Sequence, residues 1–549
     1  MKNNSYTVSG NIVDIVNREI FQGTIIIENG KITDVIREEV ENDQYILPGL
    51  IDSHIHIESS MLIPSEFARL AVRHGTIASV SDPHEIANVL GMKGISFMIN
   101  NGKKVPFKFY FGASSCVPAT QFETSGANLG PKEMDELLQM DDIHYLSEMM
   151  NFPGVLNGDK EVMEKIAIAK KYNKPIDGHA PGLKGEDAKK YIAAGISTDH
   201  ECFTMDEALG KVKDGMKILI REGSAAKNFD ALIDLIKDYP DKVMFCSDDR
   251  HPNDLVKGHI NEFVKRAFKK GYDKFDVLRA ASLNPVIHYN MDIGLLQKGD
   301  NADFIIVDDL ENFNIKATYI DGIKVADEKT SFIESQTEKE INNFSAKKIQ
   351  TEDIKIAPQK GKIRVIQALD GQLITKNITR EAKIEKDNVI SDIENDILKI
   401  VVYNRYKPAK PSIAFINNFG FKSGAIASSV AHDSHNIVAV GVDDSDIVDA
   451  INLLVEKKGG ISFSEKKIKK VLPLPIAGLM SAEDGYIVAK KYEELDMLTK
   501  TLGTQLNASY MTLAFMALLV IPEIKLSDLG LFNGSEFEFT SLFFSKKNI

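Results

Sequence analysis

His54 and His56 stand one residue apart in the stretch 48–61, PGLIDSHIHIESSM. In an extended strand, side chains two apart project to the same side, so the two imidazoles would share one space, half of a metal site. Further along come Glu148 in YLSEMMN, His179 in IDGHAPG, His200 in STDHECF and Asp248 in CSDDRHP. Four imidazoles and two carboxylates suffice for two divalent cations if one carboxylate bridges them, and such a pair acidifies the water between. Taken singly, each has a plainer reading, as a satisfied core histidine or a helix-capping aspartate. Their recurrence at the ends of different strands, in one consistent order, is what points to one site.

Six side chains so far apart in sequence need a scaffold that brings strand ends to one rim. Candidate strands end near His56, Ser81, Phe111, Glu148, His179, His200, Arg221 and Asp248, with helical stretches such as 186–194 and 230–237 between them. Eight such units within residues 48–287 match a (β/α)₈ barrel, which carries its chemistry at the C-terminal ends of its strands.

The flanks differ. Residues 11–16, 24–27 and 32–36 alternate as half-exposed strands, with Asn29-Gly30 suited to a type I′ hairpin turn. The pattern returns at 302–307 and 318–325, with Asp321-Gly322 at the turn. A small discontinuous β domain, residues 1–47 and 288–345, explains both flanks. The polar stretch 328–355 reads as a linker or a loosely packed connection. Residues 346–549 form a third region of α+β character, with strands at 362–368 and 397–403 and a helix at 447–457. The expected class is α/β: a (β/α)₈ metal-dependent hydrolase barrel, the flanking small β domain and a C-terminal α+β domain.

Composition bounds the partners. At 549 residues, 43% hydrophobic and 26% charged, the chain can bury a sizeable core. A net charge of −13 argues against nucleic acid or an anionic membrane, both of which need surplus Lys and Arg. Cys116, Cys202 and Cys246 are odd in number and form no C-x-x-C pair, so neither a disulfide framework nor a thiolate zinc site is expected and a reducing, cytoplasmic setting fits. The start, MKNNSYTVSG, lacks the apolar core of a signal peptide. The apolar run 510–521 falls short of the roughly 20 residues that span a bilayer and reads as a buried element.

The order HxH, Glu148, His179, His200, Asp248 resembles the amidohydrolase superfamily, and longer strings resemble its adenine deaminase family: HGTIASVSDPHEIANVLG, FGASSCVPAT, REGSAAKN, and, in the third region, ASSVAHDSHNIVAVG and LPLPIAGLMS. The resemblance covers nearly the whole chain. It implies hydrolysis of free adenine, a small-molecule substrate, to hypoxanthine and ammonia in purine salvage. It also implies a binuclear divalent centre, with manganese first and iron or zinc open, and a homodimer. Many superfamily members bridge their metals with a carbamylated lysine; here that position reads Glu148. By the same resemblance, Asp248 binds one metal weakly and moves the proton.

For the substrate, Asp82, His84 and Glu85 in DPHE are candidates to contact the purine, against a capping Asp and solvated neighbours. Ser114, Ser115 and Cys116 are placed to line the pocket, Cys116 as a packed thiol. Arg221 could face the ligand, although with Glu222 it reads more simply as a surface ion pair. Glu58, Asp199, Glu201, Asp249 and His251 flank the ligands. His432 and His435 in AHDSHN read as a polar loop closing over the mouth; a third metal or a substrate contact is the alternative. Two other functions stay open: hydrolysis of another cyclic amide or heterocyclic amine, and a non-catalytic scaffold.

Overall fold

A computed structural model describes residues 5–544. Its centre is a barrel of eight parallel strands, labelled β1 to β8: Leu50–Ile55, Thr76–Ser81, Lys108–Ala113, Ile143–Met149, Ile176–Gly178, Thr198–Asp199, Lys217–Arg221 and Val243–Cys246. β1 to β5 pair in order, as do β6 to β8. The seam between β5 and β6 is held by Ser197 N donating to Ile176 O at 2.9 Å. The ring closes where Ile55 bridges Asp248, with Asp248 N donating to His54 O at 3.0 Å and His56 N donating to Asp248 O at 3.3 Å. These strands are buried on both sides, as expected where helices cover a parallel sheet. Gly112 in β3 has no substitute: a Cβ there would stand 2.2 Å from Ser147 Oγ and 2.7 Å from the Tyr145 ring.

The two flanks meet in one seven-stranded sheet, in which Tyr45–Pro48 pairs antiparallel with Phe304–Val307. Both expected tight turns form. Asn29 and Gly30 have φ of 51° and 83°, and Asp321 and Gly322 have 48° and 72°, the positive pair a type I′ turn requires.

The third region is built on an eight-stranded sheet with the helix Asp444–Lys457 on one face. Strand Ile397–Tyr403 shows the period of two. Leu398, Ile400 and Val402 join the core shared with the barrel, while Val401 and Tyr403 pack with that helix. Lys399, buried on the helix side, is satisfied by Asp444 Oδ1 at 2.5 Å and Ile354 O at 3.0 Å.

Two expectations need correction. The stretch 328–355 has little regular structure but is fastened down, not loose. Ser345 N donates to Arg405 O at 2.7 Å, Ala477 N to Ile341 O at 2.7 Å and Asn101 Nδ2 to Glu338 at 2.6 Å, while Ile333, Ile349 and Ile354 are buried. Its polar side chains serve as partners across the surface it crosses. The helix expected over 230–237 is broken into Phe229–Leu232 and Leu235–Asp238. The apolar run after Tyr510 is a buried short helix, Ser509–Ala514, and a 3₁₀ turn. Among the described residues, no helix is long and apolar enough to cross a membrane.

Candidate metal centre at the barrel mouth

All six side chains converge at the C-terminal rim. His54 Nε2 and His56 Nε2 lie 3.2 Å apart, and both face Asp248 Oδ1, at 3.6 and 3.2 Å. Barrel closure makes this set, because the backbone bonds that join β1 to the turn after β8 hold Asp248 beside the two imidazoles. Asp248 itself has φ 53°, a left-handed conformation that Asp tolerates better than most residues and that turns its carboxylate over the rim. Across the mouth, His179 Nδ1 and His200 Nε2 face Glu148 Oε2 at 2.8 and 3.1 Å.

Glu148 stands between the two sets. Its Oε1 is 3.3 Å from His56 Nε2, while its Oε2 meets His179 and His200. One carboxylate oxygen thus addresses His56 and the other addresses His179 and His200. Nitrogen and carboxylate donors in this arrangement fit two divalent first-row cations sharing a bridging carboxylate.

Electrostatics favour the ligand-competent forms of both carboxylates and of His54, whereas at His56, His179 and His200 the facing carboxylates outweigh burial and raise the imidazoles, which would shed a proton as cations bind. Burial would push the Glu148 carboxyl up, but His179, His200 and His56 hold it well below the usual carboxylate range. The same holds for Asp248, where Arg221 and then His56 outweigh burial. Burial, reinforced by the His200 and His56 imidazoles, keeps His54 well below its ordinary value and therefore neutral, with a lone pair to give.

Behind Asp248 lies an ion-pair network. Arg221 is 1% exposed, and its Nη1 donates to Asp248 Oδ2 at 2.6 Å while the guanidinium also engages both oxygens of Glu201. The surface-pair reading of Arg221 with Glu222 is therefore overturned: Glu222 instead pairs with Arg266 at 2.6 Å. The local sequence misled because nothing within a few residues fixes which way the last side chain of a strand faces. Glu201, placed only as a flanking residue in the sequence, lines the mouth and lies 3.7 Å from His179 Nδ1.

The mouth is roofed by the third region. Leu373, His432, Asp433, Phe515 and Leu518 face His56, His84, Glu148, His179, His200 and Asp248 across a small cavity. Of the substrate candidates, His84 lines this space, with Nδ1 3.1 Å from Asp82 Oδ2 and Nε2 3.6 Å from Asp433 Oδ1. Asp82 sits behind, its backbone oxygen 3.1 Å from His56 Nδ1 and its Oδ1 accepting from His84 N. Ser114 reaches Asp82 at 3.5 Å. Glu85 turns away to His432, and Arg221 stays behind Asp248.

Several flanking residues act as supports. Ser115 Oγ donates to Glu148 O at 2.6 Å, Asp199 accepts from Glu201 N at 2.8 Å, and His251 packs edge-on against Tyr492. Burial raises the Cys116 thiol above its usual value, and all three cysteines are free and buried. Sequence reasoning missed Asp433 and the apolar roof of Leu373, Phe515 and Leu518. Asp433 was visible only as the residue between two noticed histidines, and nothing local marks the apolar three.

A family model described as "Amidohydrolase family" matches residues 45–325, and one described as "Adenine deaminase C-terminal domain" matches residues 372–538. Among curated relatives, a protein named adenine deaminase from Sulfurovum sp. (strain NBC37-1) is 56% identical over 533 residues, covering 97% of this chain and 98% of that one. Its namesake from Methanosarcina mazei is 53% identical over 547 residues, covering 97% and 99%. The one from Salinibacter ruber is 51% identical over 541 residues, covering 98% and 99%.

Proposed function

The chain belongs to the adenine deaminase family of the amidohydrolases, and from that premise we propose that it hydrolyses free adenine to hypoxanthine and ammonia, with His54, His56, Glu148, His179, His200 and Asp248 as the ligands of two divalent cations. The observation that carries this reading is Glu148, one of whose oxygens faces His56 at 3.3 Å while the other faces His179 and His200 at 2.8 and 3.1 Å.

When bound, the cations supply the acidity that brings water to nucleophilic strength near neutral pH. Everything else falls to the chain. Water attack at C6 of adenine needs a base for the proton released and an acid for the departing amine, whose loss is otherwise too slow. Asp248 suits both tasks in turn, because Arg221 keeps it ionised and fixes one oxygen while the other faces the histidines. Glu201 and Asp199 hold that guanidinium and the β6 end in place. Phe515, Leu518 and Leu373 offer apolar surface to a flat heterocycle and exclude bulk water, while His84 and Asp433 supply polar groups at its edge.

The same reading assigns three folding units: the small β domain of residues 1–47 and 288–345, the barrel of 48–287 and the region 346–549, with the base held between the last two. Manganese as the working metal, a homodimer, and a cytoplasmic enzyme of purine salvage complete it. The test is substrate loss, followed by chromatography with ammonia release measured alongside, by chelator-stripped protein reloaded with Mn²⁺, Fe²⁺ or Zn²⁺ and given adenine, adenosine, cytosine and a hydantoin. Turnover of adenine alone is the expected result. Turnover of the cyclic amide in preference to adenine would move the substrate assignment, and none with any metal would remove it.

A further inference from the structure

Beside the proposed centre lies a second group of ligand-type side chains that the reaction does not use. Glu85, in the first turn of the helix His84–Leu90, Asp249, after β8, and His432, from the third region, each present a ligand atom within 4.8 Å of the other two, and all three are buried. They share no residue with the six ligands above. His432 Nδ1 is 3.2 Å from Glu85 Oε1, and its Nε2 is 3.9 Å from Asp249 Oδ1.

The hydrogen bonding around this group is incomplete. Ser59 Oγ lies 3.0 Å from Glu85 Oε1 and 2.6 Å from Asp249 Oδ1, but one hydroxyl has one proton and can serve only one of them. Glu85 Oε2 has no partner, nor has Oε2 of the adjoining Glu58, although both carboxylates are fully enclosed. His435 does not help as a ligand through its free Nε2: its Nδ1 accepts from Ala431 N, so Nε2 carries the ring proton. Among the described residues, no lysine or arginine pairs with Glu58, Glu85 or Asp249. Burial and then Glu85 push the Glu58 carboxyl up to about 8, so it keeps its proton, and the two remaining carboxylates, Glu85 and Asp249, face one imidazole, that of His432. Uncompensated buried charge on this scale is costly, and a divalent ion relieves it while using the free oxygen.

We propose that Glu85, Asp249 and His432 bind a third divalent cation, distinct from the pair, that clasps the third region to the barrel mouth. Two carboxylates and one imidazole suit a first-row ion, with room for solvent to complete its shell.

Plasma mass spectrometry on stripped protein, reloaded with Mn²⁺ and separately with Zn²⁺, tests it. Three ions per chain are expected in the wild type. Glu85→Gln and His432→Asn should each hold one fewer, while Glu148→Gln should lose the pair and keep the third. Two ions in the wild type with both metals overturns the proposal, as does a count of three that neither clasp variant lowers; the wild-type count decides even if a variant fails to fold. Loss of one ion in the clasp variants of a protein that never deaminates adenine would leave the third site standing and sink the proposed reaction instead.

Discussion

The guanidinium of Arg221 donates to Asp248 Oδ2 at 2.6 Å inside the barrel, with neither residue open to solvent. The same guanidinium holds both oxygens of Glu201, so one cation fixes the direction of two carboxylates at the mouth. Replacing Arg221 with Met leaves two buried anions without their partner. Breaking such a pair costs about 3–5 kcal/mol, visible as a lower melting temperature. The Asp248 carboxyl, now held down less firmly, should ionise at higher pH, so the acid limb of kcat/KM should move upward. An unmoved limb in folded R221M would count against Arg221 as the group that keeps Asp248 ionised.

Glu148→Gln removes the charge on the carboxylate that faces His56 on one side and His179 and His200 on the other. The variant should hold less metal as well as lose turnover. Full metal content, measured after reloading, would contradict the bridging assignment.

Asp248→Asn keeps the left-handed backbone, which Asn also accepts, and keeps one ligand oxygen, but cannot take a proton. Much of the metal should remain, while kcat falls by about 10²–10⁴-fold, the usual worth of a general acid–base group. An Asn variant with near-normal kcat would remove the proton-shuttle role.

Asp433 Oδ2 is buried without a partner beside His84, at the edge of the roofed cavity. If that oxygen meets a ring N–H of the base, Asp433→Asn should raise KM for adenine by about tenfold, the equivalent of roughly 1.4 kcal/mol from one hydrogen bond to a charged group. Metal content should not change. An unaltered KM would place the purine elsewhere.

Lys525, behind the apolar roof of the mouth, gives a pH test of stability. It is wholly buried, donating to Leu373 O at 2.5 Å and Phe515 O at 2.9 Å, and burial pushes it down to about 7. Below pH 7 both folded and unfolded chains carry its proton. Between about 7 and the ordinary lysine value of 10.5 only the unfolded chain does, so this residue makes stability rise with pH, by up to about 1.4 kcal/mol per unit. The difference in unfolding free energy between wild type and Lys525→Met should therefore shift in favour of the wild type across that window; a pH-independent difference would show that Lys525 stays charged in the fold.

How far the sequence reaches can be seen residue by residue. Strand ends repeat a local pattern, and an Asn-Gly pair forces its own turn, so the barrel, both hairpins and the six convergent side chains could be read before any coordinates, by periodicity and turn chemistry that act over a few residues. The direction of a side chain after a strand is not local. Arg221 turns inward because Glu201 and Asp248 wait there, and the stretch 328–355 lies down because Arg405, Ala477 and Asn101 offer it partners. Only tertiary structure decided those, and only it could set Asp433, Leu373 and Phe515 over the mouth or bring His432 to Glu85. These contacts join residues 20 positions apart at Arg221 and Glu201 and 347 apart at Glu85 and His432, and their energy comes from burial and charge compensation, which exist only once the chain has closed on itself.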